Sequence, residues 1–198
     1  MKLARDIRRV AVGYCLIYLN FTINGWDLLP NFVGWLLFYR AILALKERRP
    51  KVMLLKNFAL VLGAWAVVEW LPFSLMEELS QSGLPGVGIP GLVLQMMALY
   101  FHFQFLTELA ELAGTYPERM DQETLLRART GVTVLQTATV LVAAVPYQRL
   151  PDSLAEGVET LAALCLVALA VIFCVTIVRE LFSLAKELDR LGTELPEN

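Results

Sequence analysis

The chain has 198 residues, of which 57% are hydrophobic and 18% are charged. Soluble domains are usually about half apolar and a quarter charged, so this composition indicates a protein that is embedded in lipid. The net charge of −2 gives no sign of a nucleic-acid or acidic partner. The expected surroundings are therefore a lipid bilayer, with no nucleic acid.

Six apolar segments follow one another along the chain. Lipid offers no water to backbone groups, so each segment is expected to be a helix. The predicted bounds are 10–25, 31–46, 52–71, 89–110, 130–147 and 158–179. The last segment contains an uncharged run from Leu161 to Val178, which is long enough to cross a membrane, whereas the first two are short of the ~20 residues required. The fold class is therefore predicted as all-α, a polytopic membrane protein with six transmembrane helices.

The connections between these segments alternate in character. Those after the first, third and fifth segments contain Leu29-Pro30, Leu84-Pro85 and Leu150-Pro151, and the others are rich in charge. This alternation predicts three consecutive helical hairpins, at about 10–46, 52–110 and 130–179, in a single integral membrane domain of residues 1–198. The hairpins are either true repeats or the ordinary alternation of any six-helix chain.

The basic residues predict an orientation. All of the 17 Lys and Arg residues except Arg149 belong to the termini, to the charged connections or to the helix ends beside them, if Arg40 is included. Basic residues of short loops remain on the cytoplasmic side. We therefore expect a multi-pass protein of a bacterial cytoplasmic membrane with both termini in the cytoplasm and the Leu-Pro connections outside.

Polar residues interrupt the first hydrophobic region, in the stretch NGWDLLPNFVG. Pro30 donates no backbone hydrogen bond and disfavours a helical conformation at the residue before it. We predict that this stretch turns the first hairpin. Residues 10 to 23 would form only about 21 Å of helix, so either the helix continues toward the proline or the hairpin sits low in the membrane. The predicted turn residues are Asn24, Asp27, Pro30 and Asn31.

The same stretch resembles a short motif, D-x-L-P-x-F-x-G-x-L, of small multi-pass membrane proteins from Firmicutes-type bacteria. Here it begins at Asp27 and ends at Leu36. The resemblance implies a membrane hairpin and carries no activity with it. The chain departs from the pattern at Asn31, where a second carboxylate is common, and in the stretch 39–41, where a small residue is expected.

Five polar side chains lie within the apolar segments and form the candidate intramembrane site. Polar groups at membrane depth often mark a functional site, but they also serve as hydrogen-bonding contacts between helices. Two interpretations of Arg40 are open. Its side chain either reaches back to the cytoplasmic interface, or meets His102, Gln104 or a backbone carbonyl of the fourth helix and forms the polar centre of the protein. The five residues are Arg40, Gln95, His102, Gln104 and Gln136.

No pattern of catalytic residues or metal ligands accompanies this site. The run from Gly86 to Gly91 matches G-x-G-x-x-G, but it precedes a membrane helix and lacks the strand that a dinucleotide site requires. We therefore predict no catalytic residue, metal or cofactor, and an enzyme is the least favoured class. The preferred function is a non-enzymatic accessory or assembly component of a membrane complex, with a membrane protein or a second copy as partner. The alternative is a small-solute transporter or channel that uses the polar cluster.

Overall fold

The computed structural model describes residues 2–18, 22–23, 26–27, 31–70, 88–115, 122–143 and 152–194. Within these ranges the chain forms six α-helices, which confirms the all-α fold class. A 3-10 turn, Pro50–Leu54, precedes the third helix, and a two-residue antiparallel ladder pairs β1, Thr22–Ile23, with β2, Trp26–Asp27. The helices are α1 (Lys2–Tyr18), α2 (Asn31–Leu45), α3 (Leu55–Trp70), α4 (Gly88–Gly114), α5 (Gln122–Ala143) and α6 (Asp152–Glu194).

Each helix packs mainly against the next one in the chain, and α6 returns to pack against α1. Helices α1 and α2 run antiparallel, because Gly13 approaches Gly34 and Phe38 while Ile17 also approaches Gly34. Helices α1 and α6 are antiparallel as well, because Arg8 near the start of α1 forms an ion pair with Asp189 near the end of α6. The six helices thus form a closed bundle.

The first helix differs from its predicted span of 10–25. It begins at Lys2 and ends at Tyr18, and the residues of β1 and β2 are extended. Ala4, Ile7, Val10, Ala11 and Tyr14 recur at helical spacing and are buried, while the basic residues between them face outward. The charged start of the chain is therefore an amphipathic part of the helix, and the prediction that the helix begins at residue 10 was wrong.

The last helix is also longer than the predicted 158–179. It runs from Asp152 to Glu194, about 64 Å at the rise of an α-helix. Beyond the uncharged run, Leu181, Leu184, Ala185 and Leu188 continue an apolar stripe that is buried in the bundle. The second, third and fourth predicted segments match α2, α3 and α4 closely, and α5 begins eight residues before the predicted 130.

Two helical stretches are long and apolar enough to cross a membrane among the residues that the structure describes. They are Pro50–Trp70 and Thr160–Arg190. Helix α2 is apolar but shorter, α1 carries several charges, and α4 contains His102 and two glutamines.

The buried residues are concentrated at one end of the bundle. We call it the charged end: it holds the start of α1, the 3-10 turn, the end of α4, the start of α5 and the end of α6. We call the opposite end the Leu-Pro end. Buried side chains begin at Phe101 in α4, finish at Leu135 in α5 and begin at Cys174 in α6. The parts of these helices toward the Leu-Pro end contain no buried side chain among the residues whose burial is described.

Helix α1 ends at the level of His102. Tyr18, the last residue of α1, lies beside His102, with the two rings 5.7 Å apart. From His102, α4 continues for fourteen more residues to Gly88, about 21 Å. Described helix from α1 therefore supports only the charged-end part of α4, which explains why burial in α4 stops near His102.

Candidate functional site

The polar centre of the bundle is built around His102. Its side chain is 1% exposed and lies in a cage of aromatic rings from α1 and α2. The ring centres of Tyr14, Tyr18, Trp35 and Phe38 are 5.4, 5.7, 5.6 and 5.8 Å from that of the imidazole. Such a cage excludes solvent and fixes the orientation of the histidine.

Hydrogen bonding at this centre is incomplete. Gln136 on α5 donates from Nε2 to the hydroxyl oxygen of Tyr18 at 3.1 Å. Three other buried polar atoms, Tyr14 Oη, His102 Nδ1 and Gln136 Oε1, have no hydrogen-bond partner among the described residues. Buried polar groups are normally satisfied, so the concentration of such atoms on α1, α4 and α5 marks this region as unusual. We refer to Tyr14, Tyr18, His102 and Gln136 as the polar centre.

A close crossing of α1 and α2 positions the tyrosines. A Cβ added to Gly13 would lie 3.2 Å from the carbonyl oxygen of Gly34, and one added to Gly34 would lie 2.9 Å from that of Gly13. The two glycines therefore let the backbones approach, as small residues do between membrane helices. This approach places Tyr14 edge-on against Phe38, with ring centres 4.9 Å apart, and both rings then face His102.

A second polar cluster lies at the charged end and joins the 3-10 turn to α4. Arg49 donates from Nε to Glu108 at 3.0 Å and also pairs with Glu111. Gln104 donates to the other oxygen of Glu108 at 2.9 Å, and Glu108 is 1% exposed. Both oxygens of this buried carboxylate are thus satisfied. The arrangement is a compensated ion pair that fixes the connection between α2 and α3 to the end of α4.

The five predicted intramembrane residues do not converge on one cavity. His102 and Gln136 belong to the polar centre, and Gln104 belongs to the Arg49 cluster. Gln95 is half-buried about two turns from His102 toward the Leu-Pro end, and Arg40 is exposed. The structure shows no hydrogen bond or ion pair between Arg40 and any described residue. This geometry fits the reading in which Arg40 extends toward the interface, and it does not bring Arg40 to His102.

The predicted turn residues are only partly described. Asn24 and Pro30 lie outside the described residues, as do the Leu-Pro connections at 84–85 and 150–151. Asp27 belongs to β2, and Asn31 is the first residue of α2. Helices α1 and α2 do pack as an antiparallel pair, but the turn between them remains a prediction.

Five residues of these clusters were not among the predicted site residues: Tyr14, Tyr18, Arg49, Glu108 and Glu111. The two tyrosines are four residues apart, which places both hydroxyls on one face of a helix. Gln104 and Glu108 have the same spacing, which predicts the hydrogen bond that the structure contains. These signals are readable in the sequence, but the pairing of Arg49 with Glu108 requires knowledge of the tertiary fold.

The threonine hydroxyls of α5 are hydrogen-bonded within their own helix. The hydroxyls of Thr130, Thr133, Thr137 and Thr139 each donate to the carbonyl oxygen four residues earlier in the same helix. These donors are therefore satisfied within α5, although Thr130 and Thr137 are exposed on its surface.

No three His, Cys, Asp or Glu side chains are grouped to hold a metal ion within the described part of the chain. Comparison of the chain with protein-family models, with curated proteins and with solved structures gives no match. Function must therefore be argued from the two polar clusters and from the surface of the bundle.

Proposed function

We propose that the chain is a six-span protein of a bacterial cytoplasmic membrane, arranged as three hairpins with both termini in the cytoplasm. The two apolar stretches Pro50–Trp70 and Thr160–Arg190 support this proposal, as does the concentration of basic residues at the charged end. On α6, about 30 Å of helix separates Glu159 from Arg179, which matches the thickness of a bilayer core. The charged end of α6 then lies in the cytoplasm.

We propose further that the protein is a non-enzymatic accessory or assembly component of a membrane complex. The observation that carries this proposal is the surface of α6 toward the Leu-Pro end. Only 11% of the apolar window in Thr160–Arg190 is buried within the protein. Leu161, Leu164 and Val167 are each more than 60% exposed. An apolar stretch that its own bundle covers so little offers its faces to a helix of another protein or of a second copy.

The packing of the charged end favours this role over solute transport. A transporter needs a hydrated path along which its polar residues converge. Here the aromatic cage encloses His102, Gln104 is held by Glu108, and Arg40 is outside the bundle. The polar residues are therefore divided between separate places, and most of them stabilise packing.

Crosslinking in native membranes tests the accessory role. A photoreactive amino acid at position 164 should give a discrete protein adduct, and one at position 184, which is buried, should give none. An adduct of twice the mass of the chain identifies a second copy as the partner. Crosslinking to lipid alone from positions 161, 164 and 167 would contradict the proposal.

A transporter is the second candidate, and the polar centre is the observation that favours it. Tyr14 Oη, His102 Nδ1 and Gln136 Oε1 lie on three helices and have no hydrogen-bond partner among the described residues. A proton or a small polar solute that crosses the protein would bind to these atoms one after another. Purified protein in liposomes with an entrapped pH-sensitive dye tests the proton case. Proton flux that is lost in His102→Leu, while the variant remains folded, would favour transport over the accessory role.

A further inference from the structure

An apolar groove lies on the outer surface of the bundle between α2 and α3. It encloses about 250 Å³, a little below the ~300 Å³ at which pockets for small molecules begin. Trp35 and Tyr39 form the wall on α2, and the small residues Ala59, Gly63 and Ala64 form the surface on α3. A Cβ on Gly63 would lie only 3.2 Å from Cβ of Trp35. The groove therefore exists because α3 presents small side chains opposite large ones.

The open side of the groove faces away from the bundle. Leu36 on α2 and Leu60 on α3 both line it, and they are 53% and 46% exposed. In a membrane protein this side is in contact with lipid tails. The groove thus has the chemistry and the access that an acyl chain requires.

Two basic residues stand at the end of the groove that is nearer the charged end. Arg40 is four residues after Leu36, and Lys56 is four residues before Leu60, so each lies one turn from a residue of the rim on the same helix face. The ammonium group of Lys56 is 6.0 Å from the centre of the Tyr39 ring, which itself lines the groove. The structure shows no ion pair between either cation and a described carboxylate.

We propose that this groove binds one anionic phospholipid from the leaflet at the charged end. An acyl chain would lie against Trp35 and Gly63, and the headgroup phosphate would lie between Arg40 and Lys56. An apolar groove alone accepts the tail of any lipid, whereas two cations at its mouth select a negative headgroup. This site gives the exposed Arg40 a role, and it requires only that the chain is in a membrane, so it is independent of the accessory function.

Lipid binding to the purified full-length protein tests the proposal. The protein in mild detergent is titrated with phosphatidylglycerol or phosphatidylcholine of identical acyl chains, and bound lipid is counted by native mass spectrometry. We expect one tightly held phosphatidylglycerol and weaker phosphatidylcholine. Each basic residue near the membrane surface contributes about five-fold in affinity. Arg40→Gln combined with Lys56→Gln should therefore lower phosphatidylglycerol affinity by about 25-fold, to that of phosphatidylcholine.

Two control variants distinguish lipid binding in the groove from general effects of added bulk or lost charge. Ala64→Leu fills the groove and should weaken both lipids, whereas Ala163→Leu, at an exposed position of α6, should leave both unchanged. Arg179→Gln combined with Lys186→Gln removes the same charge from an exposed surface of α6 and should keep the preference for phosphatidylglycerol. Inorganic phosphate should not displace the lipid.

Any of three results would overturn the lipid site. These are wild-type binding by the Arg40 and Lys56 double variant, an equal loss in the α6 double variant, or displacement by inorganic phosphate. Crosslinking from position 164 is expected to be the same in Ala64→Leu and in the Arg40 and Lys56 double variant, so failure of the lipid site and failure of the accessory role are distinguishable.

Discussion

The charged end and the Leu-Pro end of the bundle use similar apolar residues in different ways. At the charged end, Ile7, Phe38, Leu55 and Leu181 are fully buried between helices. Toward the Leu-Pro end, Leu92 and Val93 of α4 and Leu164 and Val167 of α6 are about half exposed or more. Exposing a leucine to water costs free energy. Exposing it to lipid tails costs little, because the tails are as apolar as the side chain. The charged end is therefore packed like a water-facing helical bundle, whereas the other end leaves apolar side chains exposed, as a helix surrounded by lipid or by a partner helix does.

Truncation of one large side chain at each end should give the largest contrast. Phe38→Ala removes a fully buried ring that contacts Tyr14, Phe101 and Phe105, and should lower the free energy of unfolding by about 3–5 kcal/mol. Leu164→Ala, at a position that is 63% exposed, should change it by less than about 0.5 kcal/mol. Reversible unfolding in mixed micelles measures both. Similar losses in the two variants would mean that the ends are not packed differently.

Within the charged end, removal of a buried carboxylate should cost more stability than removal of an exposed one. Glu108→Ala leaves Arg49 with only Glu111 and frees the amide of Gln104, and should destabilise the protein by about 3 kcal/mol because the charge pair is buried. Glu123 pairs with Arg127 at the surface, with both side chains more than three-quarters exposed. Glu123→Ala should cost about 0.3–0.5 kcal/mol. Thermal melting of both variants at one detergent concentration compares them directly, and equal shifts would refute the structural role given to Glu108.

Replacing a glycine by alanine should lower the stability of the protein at crowded positions and raise it at open ones. Gly34→Ala places a Cβ within 3 Å of Ile17 and of the Gly13 carbonyl, and should destabilise the protein by about 1–3 kcal/mol. Gly157→Ala, in the part of α6 toward the Leu-Pro end, meets no atom within 4 Å. It should stabilise by up to about 1 kcal/mol, because alanine favours the helix. Gly91→Ala is a second open position, and destabilisation by either open variant would contradict the account.

Loss of one hydroxyl should have the smallest effect. Tyr18→Phe removes the hydrogen bond from Gln136 and should cost about 1 kcal/mol, since it leaves a buried amide unpaired. Tyr100→Phe is the control, because its ring packs on Phe58 and its side chain is partly exposed. The difference between the two melting temperatures is the measurement. No difference would show that the polar centre contributes nothing to packing.

The sequence predicted the helical class and most of the helices because hydrophobic runs with charged or Leu-Pro boundaries are local signals. It did not predict the length of α1, since an amphipathic start that includes Arg5 and Arg8 was read as a flank of the membrane segment. It also missed the ladder at Thr22–Ile23 and Trp26–Asp27, although the intervening Asn24-Gly25 is the dipeptide that most favours a two-residue turn between strands.

The candidate site was predictable only in part. His102 and Gln136 were selected because polar residues are rare in apolar segments, and both belong to the polar centre. Arg40 was selected by the same criterion, yet its position on α2 turns it outward beside Leu36. Which face of a helix a residue occupies depends on the neighbours of that helix, and the pairing of Arg49 with Glu108 joins residues 59 positions apart. Such information is tertiary, and a single sequence does not contain it in readable form.

Cysteine labelling along α6 tests the central claim that the two ends face different solvents. In a protein whose three native cysteines are replaced by alanine, single cysteines are placed at Leu164 and at Ser183, both of which are exposed in the bundle. A membrane-impermeant maleimide should label Ser183→Cys in inside-out vesicles and not in right-side-out ones. It should label Leu164→Cys in neither, because the proposed topology places that position within the membrane, where the reagent does not reach. Rapid labelling of Leu164→Cys, or labelling of Ser183→Cys from the outside, would contradict the account.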